Sequence, residues 1–111
     1  MKLSDHQWAF LKDLATLILF AEDQGYKLTG AELYRTPAHA KRNAAKGVGI
    51  ADSLHCQRLA IDLNLFIDDK FRRDSEAHRP LGEFWESLDP RNNWGGDFKK
   101  PDGNHYERVP D

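Results

Sequence analysis

Apolar residues recur over the first 25 positions at helical spacing, with Trp8, Leu11, Leu14 or Ala15, Ile18 and Ala21 on one face. Ser4 followed by Gln7 has the form of a capping box, so an amphipathic first helix ending near Gly25 is predicted. A short extended segment is expected from Leu28 to Arg35. Thr36-Pro37 then opens a second helix that runs through AHAKRNAAK and stops at Gly47. From Leu59 the period changes to two: Leu59, Ile61, Leu63, Leu65 and Ile67 alternate with Ala60, Asp62, Asn64 and Phe66. This is a strand with one strongly apolar face. Asp68-Asp69 reads as a hairpin turn into Phe71, although the usual glycine is missing from the second turn position. Pro80 announces a third helix that carries Leu81, Phe84, Trp85 and Leu88 on its core side, and Asp89-Pro90 closes it. The remaining RNNWGGDFKKPDGNHYERVP is rich in turn formers, with one short strand expected from His105 to Val109.

Composition bounds this pattern. A chain of 111 residues, 40% hydrophobic, predicts a single domain over 1–111 with one core. Three Trp, three Tyr and six Phe supply the bulk to fill it without disulfides, and the single Cys56 has no partner for an internal bridge. Sixteen Lys and Arg are interspersed with eighteen Asp and Glu for a net charge of -2, so no basic stripe points to nucleic acid. No stretch approaches a membrane-spanning length, and MKLSDHQWAF lacks the long apolar region of a secretory signal. The expectation is synthesis and folding in the cytoplasm.

Five histidines are present, and two sit where more than packing or solvation is suggested: His55 and His105. His6, His39 and His78 are expected to be solvated or to make local hydrogen bonds. Asp62 interrupts the apolar strand on the face opposite the leucines, between Ala60 and Asn64. A partly buried carboxylate there needs a counter-charge or hydrogen bonds, and a metal would supply the charge. His55 lies an odd number of residues before Asp62, so on one continuous strand the two would face opposite ways. They converge only if His55 lies in a bend before Leu59, which the glycines and Asp52-Ser53 of GVGIADSLH favour. His105 follows a Pro-Asp-Gly-Asn turn. Two His and one carboxylate suit a catalytic zinc that keeps a fourth position for water, whereas Cys56 as a further ligand would close it.

At these residues the chain resembles the family of zinc D-alanyl-D-alanine carboxypeptidases, vancomycin-resistance dipeptidases and phage L-alanyl-D-glutamate endolysins, and it is most similar to the phage and prophage endolysin branch. Ser-x-His followed by Ala-x-Asp stands here as Ser53-Leu54-His55 and Ala60-Ile61-Asp62. Trp-Gly-Gly, followed by an acidic residue three before a His, stands as Trp94-Gly95-Gly96 with Asp102 and His105. The resemblance also takes in Tyr34-Arg35-Thr36-Pro37 and HRPLGEFWESL. It departs at Arg58, where many distant members have Gly, and at His39, where related chains often carry Gln. An Asp rather than a Glu stands at the base position, which favours the endolysin-like branch.

The resemblance implies that His55, Asp62 and His105 bind Zn2+ and that Asp102 is the general base. It further implies that Arg35 binds a substrate carboxylate or the oxyanion, that Ser53 supports the site by hydrogen bonding, and that Trp94 shapes the substrate groove or joins the core. The implied architecture is α+β, a small, mainly antiparallel sheet packed against helices, of the Hedgehog and D-alanyl-D-alanine peptidase type. The implied activity is hydrolysis of a peptidoglycan stem peptide between L-alanine and D-glutamate by a monomeric enzyme that reaches the cell wall after release. Two alternatives stand beside it: a D-alanyl-D-alanine carboxypeptidase or dipeptidase, and a non-catalytic, zinc-stabilised wall-binding domain.

Overall fold

The computed structural model describes residues 1–47 and 53–111. Gly49 and Asp52, read above as part of the irregular approach to His55, lie outside the described residues. Helix α1 (Leu3–Asp23) leads into strand β1 (Lys27–Glu32) and helix α2 (Pro37–Ala45). A 3₁₀ turn (Leu54–Gln57) precedes β2 (Ala60–Ile67), β3 (Lys70–Arg72), α3 (Ser75–Leu88), β4 (Asn92–Trp94) and β5 (His105–Arg108). All strand pairs are antiparallel, in the order β1-β2-β5-β4, with β3 also paired to β2. The fold is α+β, with α1 and α3 packed on one face of the sheet.

Alternation within the strands divides the sheet into a core face and a site face. On the core face Ile61 lies opposite Tyr106, which lies opposite Trp94. Leu63, Leu65, Tyr106 and Trp94 are buried there with Leu81 and Trp85 of α3. Each fully buried side chain of this size contributes about 1.5–3 kcal/mol relative to exposure. Helix α1 buries Phe10, Leu14, Leu17 and Ala21, whereas Trp8, Leu11 and Ile18 of the predicted face are 59%, 52% and 45% exposed. The helix carries two apolar stripes, and α3 selects between them: Phe10 meets Trp85 edge to face at 5.5 Å and Phe20 stacks on Phe84 at 3.9 Å.

Several boundaries differ from the sequence pattern, β1 among them, which ends at Glu32 and not at the expected Arg35. Helix α1 starts ahead of Ser4, because the Asp5 carboxylate accepts the Lys2 backbone N–H at 2.9 Å. An ionised acceptor in the first turn also complements the helix dipole. Helix α3 begins well before Pro80, since Asp74 caps it by accepting from the Ala77 N–H at 3.0 Å; Pro80 therefore lies inside the helix. Strand β4 falls in the stretch read as turns. His6 and His78, expected near solvent or in local bonds, are both buried: Arg108 Nε lies 3.1 Å from His6 Nδ1, and His78 Nδ1 lies 2.8 Å from the Tyr106 hydroxyl.

Candidate metal centre and active site

On the site face, strand register draws the polar residues into a row. Asp62 of β2 lies directly opposite His105 of β5 and, on its other side, opposite Glu32 of β1. Directly opposed residues of an antiparallel pair share a face. Glu32 reaches that row through an irregularity between Gly30 and Glu32, where an extra residue in β1 turns its side chain back to the site face. His55 arrives by a different route. Ser53 caps the 3₁₀ turn by accepting the His55 backbone N–H at 3.2 Å, and Arg58 ends it in the left-handed region at φ 56°.

These elements place a nitrogen of His55, a nitrogen of His105 and a carboxylate oxygen of Asp62 within 4.8 Å of one another. Asp62 Oδ1 is 3.3 Å from His55 Nε2 and 3.2 Å from His105 Nδ1. Tetrahedral zinc with bonds of 2.0–2.2 Å would hold neighbouring ligand atoms about 3.4 Å apart, so the donor set and its spacing fit that ion. The tautomers fit as well. His55 Nδ1 lies 3.0 Å from the Leu33 carbonyl oxygen, which can only accept, so with a metal bound the ring proton would stay on Nδ1 and Nε2 would turn its lone pair to the ion.

Charge is concentrated here. Burial pushes the Asp62 carboxyl up, but hydrogen bonds from His105 and His55 outweigh it and hold the group at about 2. Burial likewise disfavours the charged form of His105, yet its bonds to Asp62 and Glu107 raise it to about 9. A metal held at Nδ1 would take the place of the proton that His105 otherwise shares with Asp62. Asp102 is pushed above the ordinary carboxylate range by burial and by the neighbouring Asp62 charge, against the opposing pull of His105, His55 and Arg35.

Asp102 is held by backbone geometry. Its N–H donates to the Gly95 carbonyl at 2.9 Å, and the His105 N–H donates to the Asp102 carbonyl at 3.1 Å. A Cβ on Gly95 would overlap that Asp102 carbonyl oxygen and stand 2.9 Å from the His105 Cβ, so only glycine allows the two turns to approach this closely. Arg35 is anchored to Glu32, with Nε 3.0 Å from Oε1, and its backbone N–H donates to the His55 carbonyl at 3.2 Å.

Of the two places open to Trp94, groove or core, the structure gives the core. Trp94 is fully buried, with its Nε1–H donating to the Gly103 carbonyl at 2.7 Å and its ring filling the space a side chain on Gly82 would need. It has no face to offer a substrate, because pairing of β4 with β5 turns it to the core side of the sheet. Ser53 is 5% exposed and accepts the backbone N–H of His55, so it supports the site by fixing the turn that carries this ligand and has no surface for a substrate. Two carboxylates at the site, Glu32 and Glu107, were not singled out in the sequence. Their signal was their place opposite Asp62 and two residues beyond His105, and it becomes readable only once strand register is known.

Fold and site together present two histidines and an aspartate that could hold a metal ion, with a further carboxylate beside them. A family model described as D-alanyl-D-alanine carboxypeptidase matches residues 46–108, and the chain belongs to that family of peptidases. Its fold is similar to that of the L-Ala D-Glu endopeptidase ChiX of Serratia marcescens, with 16% identity over 98% of this chain and 87% of that one and a TM-score of 0.71. It is also similar to a mutant of the vancomycin resistance D,D-pentapeptidase VanY from a VanB-type cassette, solved with Zn(II). There the identity is 21% over 91% of this chain and 71% of that one, with a TM-score of 0.63. No curated protein matches the sequence significantly.

Proposed function

We propose that the chain is a zinc-dependent endopeptidase that cleaves the peptidoglycan stem peptide between L-alanine and D-glutamate. The observation that carries this reading is the convergence of His55, Asp62 and His105 beside Asp102, in a chain of the peptidase family. The likeness to an L-Ala D-Glu endopeptidase along nearly the whole chain supports that bond over D-alanyl-D-alanine, as does an Asp at the base position. Lysis of the wall by a phage or prophage is the biological role that accompanies it.

His55 Nε2, Asp62 Oδ1 and His105 Nδ1 would hold the ion. Bound there, zinc supplies a Lewis acid that polarises a carbonyl and lowers the pKa of water to about 7. Asp102 takes the proton of the attacking water and passes it to the leaving amine, a task suited to a carboxylate whose pKa is raised toward the working pH. Arg35, with one part of its guanidinium fixed by Glu32, directs its remaining donors to a substrate carboxylate or the developing oxyanion.

Digestion of purified wall fragments followed by mass spectrometry tests the reading. New amino termini on D-glutamate are expected, and they should disappear when a chelator is added. Release of terminal D-alanine alone would replace the endopeptidase with a carboxypeptidase. Purified protein that holds no zinc and ignores chelators would overturn both.

A further inference from the structure

Glu107 has no part in the mechanism above, yet its carboxylate is aimed at the site. It lies two residues beyond His105 on β5 and so shares its face, opposite the fully buried Ala60, whose small side chain leaves room for it. Its Oε1 is 2.7 Å from His105 Nε2, and its side chain is only 14% exposed. Its backbone is fixed as well, because the Trp85 indole N–H donates to the Glu107 carbonyl at 3.0 Å. Among the described residues no lysine or arginine forms an ion pair with this carboxylate. A carboxylate so enclosed needs a donor, and among the described residues His105 fills that place.

The two histidines are oriented in complementary ways. His55 gives Nδ1–H to a neutral carbonyl and turns Nε2 to Asp62, whereas His105 turns Nε2 to a carboxylate and Nδ1 to Asp62. An ionised acceptor polarises an imidazole more strongly than a carbonyl does and makes the opposite nitrogen a better donor to a metal.

We infer that Glu107 is a positioning residue for the metal: it holds His105 as the Nε2–H tautomer, makes Nδ1 the coordinating atom and strengthens zinc binding. This rests on the zinc reading of the site. Glu107→Ala is expected to weaken zinc binding about 10–100-fold and Glu107→Gln, which keeps an acceptor but not its charge, by about 3–10-fold. Competition for zinc against a chromophoric chelator at neutral pH measures both. In zinc-loaded wild-type protein, proton–nitrogen NMR of the His105 ring should show the proton on Nε2, and Glu107→Ala should lose that fixed assignment. If Glu107→Ala does not fold, Glu107→Gln carries the affinity comparison.

Wild-type affinity in the variants, or a proton on Nδ1 of zinc-loaded wild-type His105, would overturn the inference while leaving the zinc reading intact. Wild-type protein that binds no zinc would overturn both.

Discussion

Single side chains at the centre divide into those that would hold an ion and those that would move or fix protons. Asp102 belongs to the second group. Asp102→Ala should retain zinc and fold while hydrolysis falls by about 10²–10⁴-fold. Metal analysis and fragment digestion on the same preparation check this, and undiminished digestion would remove Asp102 from the mechanism. His78 carries a separate consequence for stability. Burial lowers its pKa below the ordinary 6.5, so as pH falls through that value the unfolded chain takes up a proton that the folded one resists. Its contribution is therefore present above 6.5 and lost on acidification. Chelator-treated wild type should lose more thermal stability between pH 8 and pH 5 than His78→Gln does; parallel curves would contradict the assignment. At this scale the sequence was informative wherever chemistry demanded an unusual residue, as with Asp62 in an apolar strand. Glu32 and Glu107 were not legible, because charged residues on a short strand are ordinary until pairing shows what they face.

Elements decide how closely those side chains approach. Gly95 lets the 3₁₀ turn after β4 touch the turn that bears Asp102. Gly95→Ala should cost about 1–3 kcal/mol by overpacking and displace Asp102 and His105 together. Activity and zinc affinity should then fall in step, whereas Asp102→Ala separates them; a Gly95→Ala protein with wild-type activity would show that the contact is dispensable. The hairpin between β2 and β3 offers the opposite case. Asp68 and Asp69 both occupy the left-handed region, at φ 53° and 62°, which suits the twist of a two-residue hairpin. Asp68→Gly removes the side-chain penalty and should raise stability by about 0.5–1 kcal/mol, read as a higher melting temperature with unchanged activity. That turn was legible despite its missing glycine, since aspartate tolerates this conformation. Strand β4 was not, because NNW has little intrinsic preference and becomes a strand only through its pairing with β5. The buried stripe of α1 was misjudged for a related reason: two stripes share the helical period, and the partner helix chooses between them.

Across the whole molecule the order of the main elements followed from periodicity, whereas the α+β class and the grouping of His55, Asp62 and His105 came with the family resemblance that the paired motifs carry. The sheet converts that grouping into geometry by setting a row of side chains across neighbouring strands. Alternation along a strand has a strict period of two, so deleting one residue from β2 ahead of Asp62 would exchange the two faces, turning Asp62 toward the helices and Ile61 outward. Length changes inside β2 or β5 should therefore be the least tolerated alterations in this protein, even when the residue removed is small. The exposed stretch from Asp97 to Lys100 lies outside the paired strands and should accept inserted residues. New substrate contacts would grow from such a turn, while the row bearing Asp62 and His105 keeps its spacing to the residue.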